Sequence, residues 1–128
     1  MPQNQKSNKR HVLSTFADAA RGIRQLFKTE RNIWIHLCFT LAVIALGFVF
    51  NLSSAEWTAV VLSCGLVLGA EAMNTAIEYL ANHITTERNE QIRKVKDVAA
   101  GAVLLCALAA LSVGLIVFLP KVLQLLGL

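Results

Sequence analysis

"WTAVVLSCGLVLGAEAMNTAIEYL", residues 57–80, is apolar over most of its length and yet carries Glu71, Asn74 and Glu78 toward its end. At about 1.5 Å of rise per residue a helix of this length crosses a hydrocarbon core of about 30 Å. An acidic side chain near the centre of such a helix costs roughly 3 kcal/mol to insert, less toward the interface. Carboxylates kept at that cost need a task or a partner.

Plotted at about 100° per residue, Glu71, Asn74 and Glu78 fall on one stripe of the helix. Gly65, Gly69, Ala72 and Ala76 form a second stripe of small residues roughly opposite, and "GLVLG" has the G-x-x-x-G spacing that lets membrane helices approach closely. A helix with special residues on both sides is enclosed on both sides, which three spans in one subunit can hardly do. The pattern predicts an oligomer.

Two further apolar segments flank this one, Ile33 to Phe50 and Val98 to Leu119. With 55% apolar residues, 16% charged residues and a mean hydropathy of +0.56, the composition lies outside the usual balance of a soluble domain. The expected architecture is therefore an all-α membrane protein of one domain, residues 1–128. Its spans are 33–50, 57–80 and 98–119.

Basic residues set the orientation. Seven Lys or Arg precede the first span, none lie in the link 51–56, and Arg88, Arg93, Lys94 and Lys96 lie between the second and third spans. By the positive-inside rule the N-terminus and the second link are cytoplasmic, in a multi-pass protein of the bacterial inner membrane. The net charge of +4 comes from residues flanking the spans, without the aromatic-basic interleaving or zinc spacing of a nucleic-acid binder. Cys38, Cys64 and Cys106 stand one in each span with no C-x-x-C pairing, and are read as small apolar fillers.

Ahead of the first span, "HVLSTFADAARGIRQLFKTER" (residues 11–31) gathers Val12, Leu13, Phe16, Ile23, Leu26 and Phe27 on one side and Arg10, Asp18, Arg21, Arg24 and Lys28 on the other. This predicts an amphipathic surface helix over 12–31 behind a flexible basic N-terminus, 1–11. Glu30 falls on the apolar side if the helix continues, near the turn into the bilayer.

The third span opens with "RKVKDVAAGAVLL", which puts Lys96 and Asp97 at the cytoplasmic boundary, level with Glu78 if the link 81–95 is compact. Alone, Lys96 reads as a boundary lysine whose stem lies in lipid. Beside Glu78 and Glu30 it points to a cation and phosphate site. A conduit for ions or protons is the competing reading, but it needs polar residues through the full depth of a helix, and above Glu71 the second span offers only Ser63 and Thr58.

"E-A-M-N-T-A-I-E" at 71–78 and "K-V-K-D-V-A-A-G-A-V" at 94–103, preceded by "F-A-D-A-A-R-G-I" at 16–23 and "K-T-E-R-N" at 28–32, resemble the prokaryotic diacylglycerol kinase and undecaprenol kinase family, in the family's order, from about Val12 to about Leu119. The resemblance implies a homotrimer of three-span subunits, each with a surface helix, that uses magnesium ATP to phosphorylate the hydroxyl of a membrane lipid. It implies Glu71 as general base with Asn74 beside it, Glu30 and Glu78 as Mg²⁺ ligands, and Lys96 and Asp97 at the nucleotide, with Glu87 and Lys94 as further nucleotide contacts. Hard oxygen ligands suit Mg²⁺, and phosphoryl transfer needs positioning and charge neutralisation above all. No P-loop or protein-kinase glycine loop is present, so nucleotide binding rests on side chains. The chain departs from the family at Glu87-Arg88-Asn89, where a Tyr-His pair often follows the glutamate. The "D-V-A-A-G-A-V" form leans toward undecaprenol as acceptor, with diacylglycerol, giving phosphatidic acid, as the alternative.

Overall fold

The computed structural model of the protein describes the backbone from Gln3 to Leu128 and the side chains from Lys9 onward. Four helices account for the described secondary structure: α1 (Gln3–Thr29), α2 (Arg31–Val49), α3 (Ser54–Ile84) and α4 (Glu90–Leu125). They fall into two compact units, the chain up to Arg31 and Asn32–Leu128. The all-α reading is correct. α2, α3 and α4 are each long and apolar enough to cross a membrane.

In the first unit, α1 carries Val12, Leu13, Phe16 and Ile23 exposed. It starts at Gln3, so residues 3–11, expected as flexible, are helical, and residues 1 and 2 lie outside the described backbone. Gln, Lys and Arg are good helix formers, and nothing in this basic stretch breaks the run. Glu30 is the one residue between α1 and α2 outside a helix, and its amide donates to the Leu26 carbonyl at 3.0 Å.

In the second unit, α3 and α4 pack along their length. Lys96 Nζ lies 2.6 Å from Asn82 Oδ1 near one end, and Lys121 Nζ lies 3.1 Å from Glu56 Oε1 near the other. Those two pairs make the helices antiparallel. Between them sits a small core of Leu52, Val60 and Val117, against which Val43, Phe50, Trp57 and Phe118 pack.

Both helices outrun the expected spans. At 31 and 36 residues they are about 46 and 54 Å long, well beyond a hydrocarbon core of about 30 Å. Hydropathy locates the part that crosses lipid, whereas the helix ends where its backbone is capped. α3 begins at a capping box: the Glu56 amide donates to Ser53 Oγ at 3.3 Å, and the Ser53 amide donates to Glu56 Oε2 at 2.8 Å. α4 begins at Asn89, whose Oδ1 accepts from the amides of Gln91 and Ile92. The expected link 81–95 therefore shrinks to residues 85–89, and Lys94, Lys96 and Asp97 are helical.

At the other end of α3 the chain turns from α2 through Asn51, whose φ of 50° is the left-handed conformation that Asn tolerates. Gly47 on α2 is buried against Trp57: a Cβ there would lie 2.6 Å from the indole Cη2 and 3.1 Å from Leu52 Cδ1. The close approach of α2 to the start of α3 depends on that missing side chain.

Candidate active site within the second unit

The polar stripe of α3 faces inward. Glu71 is 4% exposed and Asn74 9%. The small stripe faces outward: Gly65 and Gly69 are exposed, and a Cβ at either would meet nothing within 4 Å. The two stripes of α3 thus have different surroundings, as their chemistry predicts.

Glu71 meets α2 at His36, with Nε2 3.7 Å from Oε2, an ion-pair distance just longer than a hydrogen bond. His36 also lines a cavity of about 490 Å³ between α2, α3 and α4, along with Thr40, Val43, Val67, Gly114 and Phe118. One turn along α3, the Asn74 Nδ2 donates to Glu78 Oε1 at 3.3 Å. Among the described residues its buried Oδ1 has no hydrogen-bond partner. Leaving a buried acceptor unpaired costs about 1–3 kcal/mol, so a donor or a cation is called for there.

Lys96 is half-buried and held on Asn82, one turn beyond Glu78 along α3. Asp97 is exposed and sits on the neighbouring sector of α4, where Arg93 reaches it at 3.3 Å while also bonding Glu90 at 2.8 Å. Lys94 is exposed on the same helix. Glu87 is exposed in the link, its amide donating to Thr85 Oγ1 at 3.1 Å. Glu30 is half-buried at the break between α1 and α2, in the first unit. The structure thus joins Glu71 to His36, Asn74 to Glu78 and Lys96 to Asn82.

Three of these partners carry no assigned role in the sequence reading: His36, Asn82 and Arg93. His36 had a signal, as the one titratable side chain inside the first apolar segment apart from Cys38. Arg93 lies at i+3 from Glu90 and i−4 from Asp97, spacings that pair on any helix. Asn82 had none, because its contact depends on how α3 and α4 pack.

Among the described residues no group of three His, Cys, Asp or Glu side chains converges as a metal cage. Mg²⁺ does not require one, since it is usually held by one or two carboxylates plus phosphate oxygens and waters. Glu78 and the unpaired Asn74 Oδ1 are hard oxygen donors one turn apart, and fit that habit.

Three long apolar helices with a buried acid and amide on the middle one define an integral-membrane protein. The sequence profile of the prokaryotic diacylglycerol kinase family matches residues 17–118. The chain is 39% identical over 107 residues to the undecaprenol kinase of Bacillus subtilis, covering 84% of this chain and 87% of that protein. It is 35% identical over 116 residues to the diacylglycerol kinase of Synechocystis, covering 90% and 66% respectively, and 28% identical over 111 residues to that of Haemophilus influenzae, covering 84% and 93%. The chain belongs to the prokaryotic diacylglycerol kinase family, and is a membrane-embedded lipid kinase.

Proposed function

We propose that the protein transfers the γ-phosphoryl group of ATP, with Mg²⁺, to the hydroxyl of a membrane lipid, undecaprenol in preference to diacylglycerol. The observation that carries this reading is the buried pair on α3: an acid that is 4% exposed, followed one turn on by an amide whose oxygen has no partner. A helix keeps such groups out of water when a ligand completes them.

In this reading Glu71 takes the proton as the lipid O–H bond breaks. The lipid oxygen bonds to the γ-phosphorus, and the bond to ADP breaks with its electron pair on the departing β-phosphate oxygen. Glu78, with Asn74 Oδ1, would hold the cation, and the Asn74 Nδ2 bond to Glu78 fixes that carboxylate; Glu30 is the second ligand that the family resemblance implies. Bound Mg²⁺ supplies charge neutralisation for the phosphates. Lys96 contributes a fixed cation toward the phosphates, with Asp97, Lys94 and Glu87 toward the rest of the nucleotide.

Several features support the remaining parts of the reading. Gly65, Gly69 and Ala76 of the small stripe are exposed and leave room for another α3, which favours a homotrimer. The distribution of Lys and Arg favours a cytoplasmic N-terminus in a bacterial inner membrane. Undecaprenol is favoured by the relative at 39% identity and by the "D-V-A-A-G-A-V" form of α4.

The test is transfer of γ-labelled phosphate from ATP to a lipid alcohol in mixed micelles, with and without Mg²⁺. Wild type should label the lipid only with the metal, and Glu71→Gln should lose at least about a hundredfold, in keeping with removal of a general base. Glu71→Gln retaining wild-type turnover would exclude Glu71 as the base.

A further inference from the structure

Glu71 is almost wholly withdrawn from water, and His36 of α2 brings its Nε2 to 3.7 Å from the carboxylate. A carboxylate has two oxygens, and the imidazole Nε2 stands 3.7 Å from Oε2. We infer that His36 is the positioning residue of the catalytic base: it holds Oε2 of Glu71 so that Oε1 is presented to the acceptor hydroxyl. The inference rests on the assignment of Glu71 as base.

The geometry argues for this in two ways. A glutamate side chain on a helix has three torsions to fix, and a proton acceptor that swings by about 1 Å from its reactive placement loses rate on the order of a hundredfold. On α3 itself, the hydrogen bond of the Asn74 amide runs to Glu78. The contact made to the Glu71 carboxylate comes from another helix, α2. Contacts of this kind are commonly long before substrate binds and shorten in the reactive complex, and 3.7 Å is the resting distance here.

His36 has a second contact that shapes the test. Because it lines the cavity between α2, α3 and α4, leucine replaces it there with apolar volume and leaves the lining intact. Glutamine places an amide nitrogen close to where Nε2 stands, and keeps a donor for Oε2.

His36→Leu should lower kcat by about ten- to hundredfold with KM for ATP within about twofold, whereas His36→Gln should recover most of the loss. In the Glu71→Gln background His36→Leu should cost nothing further, because a residue that acts through Glu71 has nothing left to position. An additive loss in the double variant, or full kcat in His36→Leu while Glu71→Gln is inactive, would overturn the inference and leave the base assignment standing. An active Glu71→Gln enzyme would overturn both. Folding is monitored by the elution of each variant in detergent, and if His36→Leu fails to assemble, the comparison is made with His36→Gln and His36→Asn. Wild-type-like kcat in the first with loss in the second supports the role, since only glutamine reaches the Nε2 position, and equal loss in both overturns it.

Discussion

Lys96 Nζ on α4 lies 2.6 Å from Asn82 Oδ1 on α3, which fixes an ammonium one turn beyond Glu78. A lysine at a membrane boundary ordinarily samples many rotamers, and this contact restrains one. If that cation serves the phosphates, Lys96→Ala should raise KM for ATP by about ten- to hundredfold, the loss of a charge-assisted hydrogen bond. Asn82→Ala should raise it severalfold only, since the charge remains and its restraint is lost. Initial rates against ATP concentration check both, and an unchanged KM in Lys96→Ala removes the lysine from the nucleotide site.

Glu78→Gln keeps the size of the side chain and can still pair with Asn74, but it removes the charge offered to a cation. Turnover should fall by more than about tenfold at any Mg²⁺ concentration that saturates wild type. Chromatography in detergent should find the variant eluting as wild type does. Glu30→Gln should behave alike, and activity in either variant close to wild type across a magnesium titration would end its assignment as a ligand.

The sequence exposes the acid–amide stripe because three polar residues at helical spacing stand out against an apolar run, and the cost of inserting them supplies the argument. The contact between His36 and Glu71 is not legible in the same way. It joins residues far apart in the chain, and the periodicity of α2 says nothing about which part of α3 it meets. Helix ends show both situations. The S-x-x-E box at 53–56 marks the start of α3 in the sequence itself, whereas the start of α4 at Asn89 lies in a polar stretch that hydropathy cannot resolve. The proposed oligomer has its sequence signal in the stripe of small residues, a face that α3 leaves uncovered in the single chain.

Gly47→Ala tests the packing of α2 on the start of α3 independently of the chemistry. The new Cβ meets the Trp57 ring at 2.6 Å, and that ring is already tilted against Phe48 with centroids 4.9 Å apart. Relief requires moving an indole or the helix, so the variant should lose about 1–3 kcal/mol of stability, the range for overpacking. Thermal unfolding in detergent measures it. Trp57→Phe removes the six-membered ring atoms nearest the new methyl, so the double variant should be less destabilised than the sum of the two singles. Strict additivity would mean that the indole is not what resists the methyl.

The last prediction concerns the acceptor. Glu71 is buried in the half of α3 that leads to Glu78 and Asn82, and α1 offers an apolar face suited to the bilayer surface. A lipid alcohol reaches such a base by lateral diffusion, already confined and partly oriented, which removes part of the entropic cost of bringing the reactants together. A soluble alcohol has no such advantage. In one detergent system kcat/KM should therefore fall in the order undecaprenol, diacylglycerol, glycerol, with glycerol lower than either lipid by at least about a hundredfold. The first interval rests on residues 97–103 and on likeness to one relative, the second on where the base sits. Faster turnover of diacylglycerol would reverse only the choice between lipids, whereas glycerol matching both would mean that the reacting hydroxyl meets Glu71 from water and that its burial at membrane depth has nothing to do with acceptor choice.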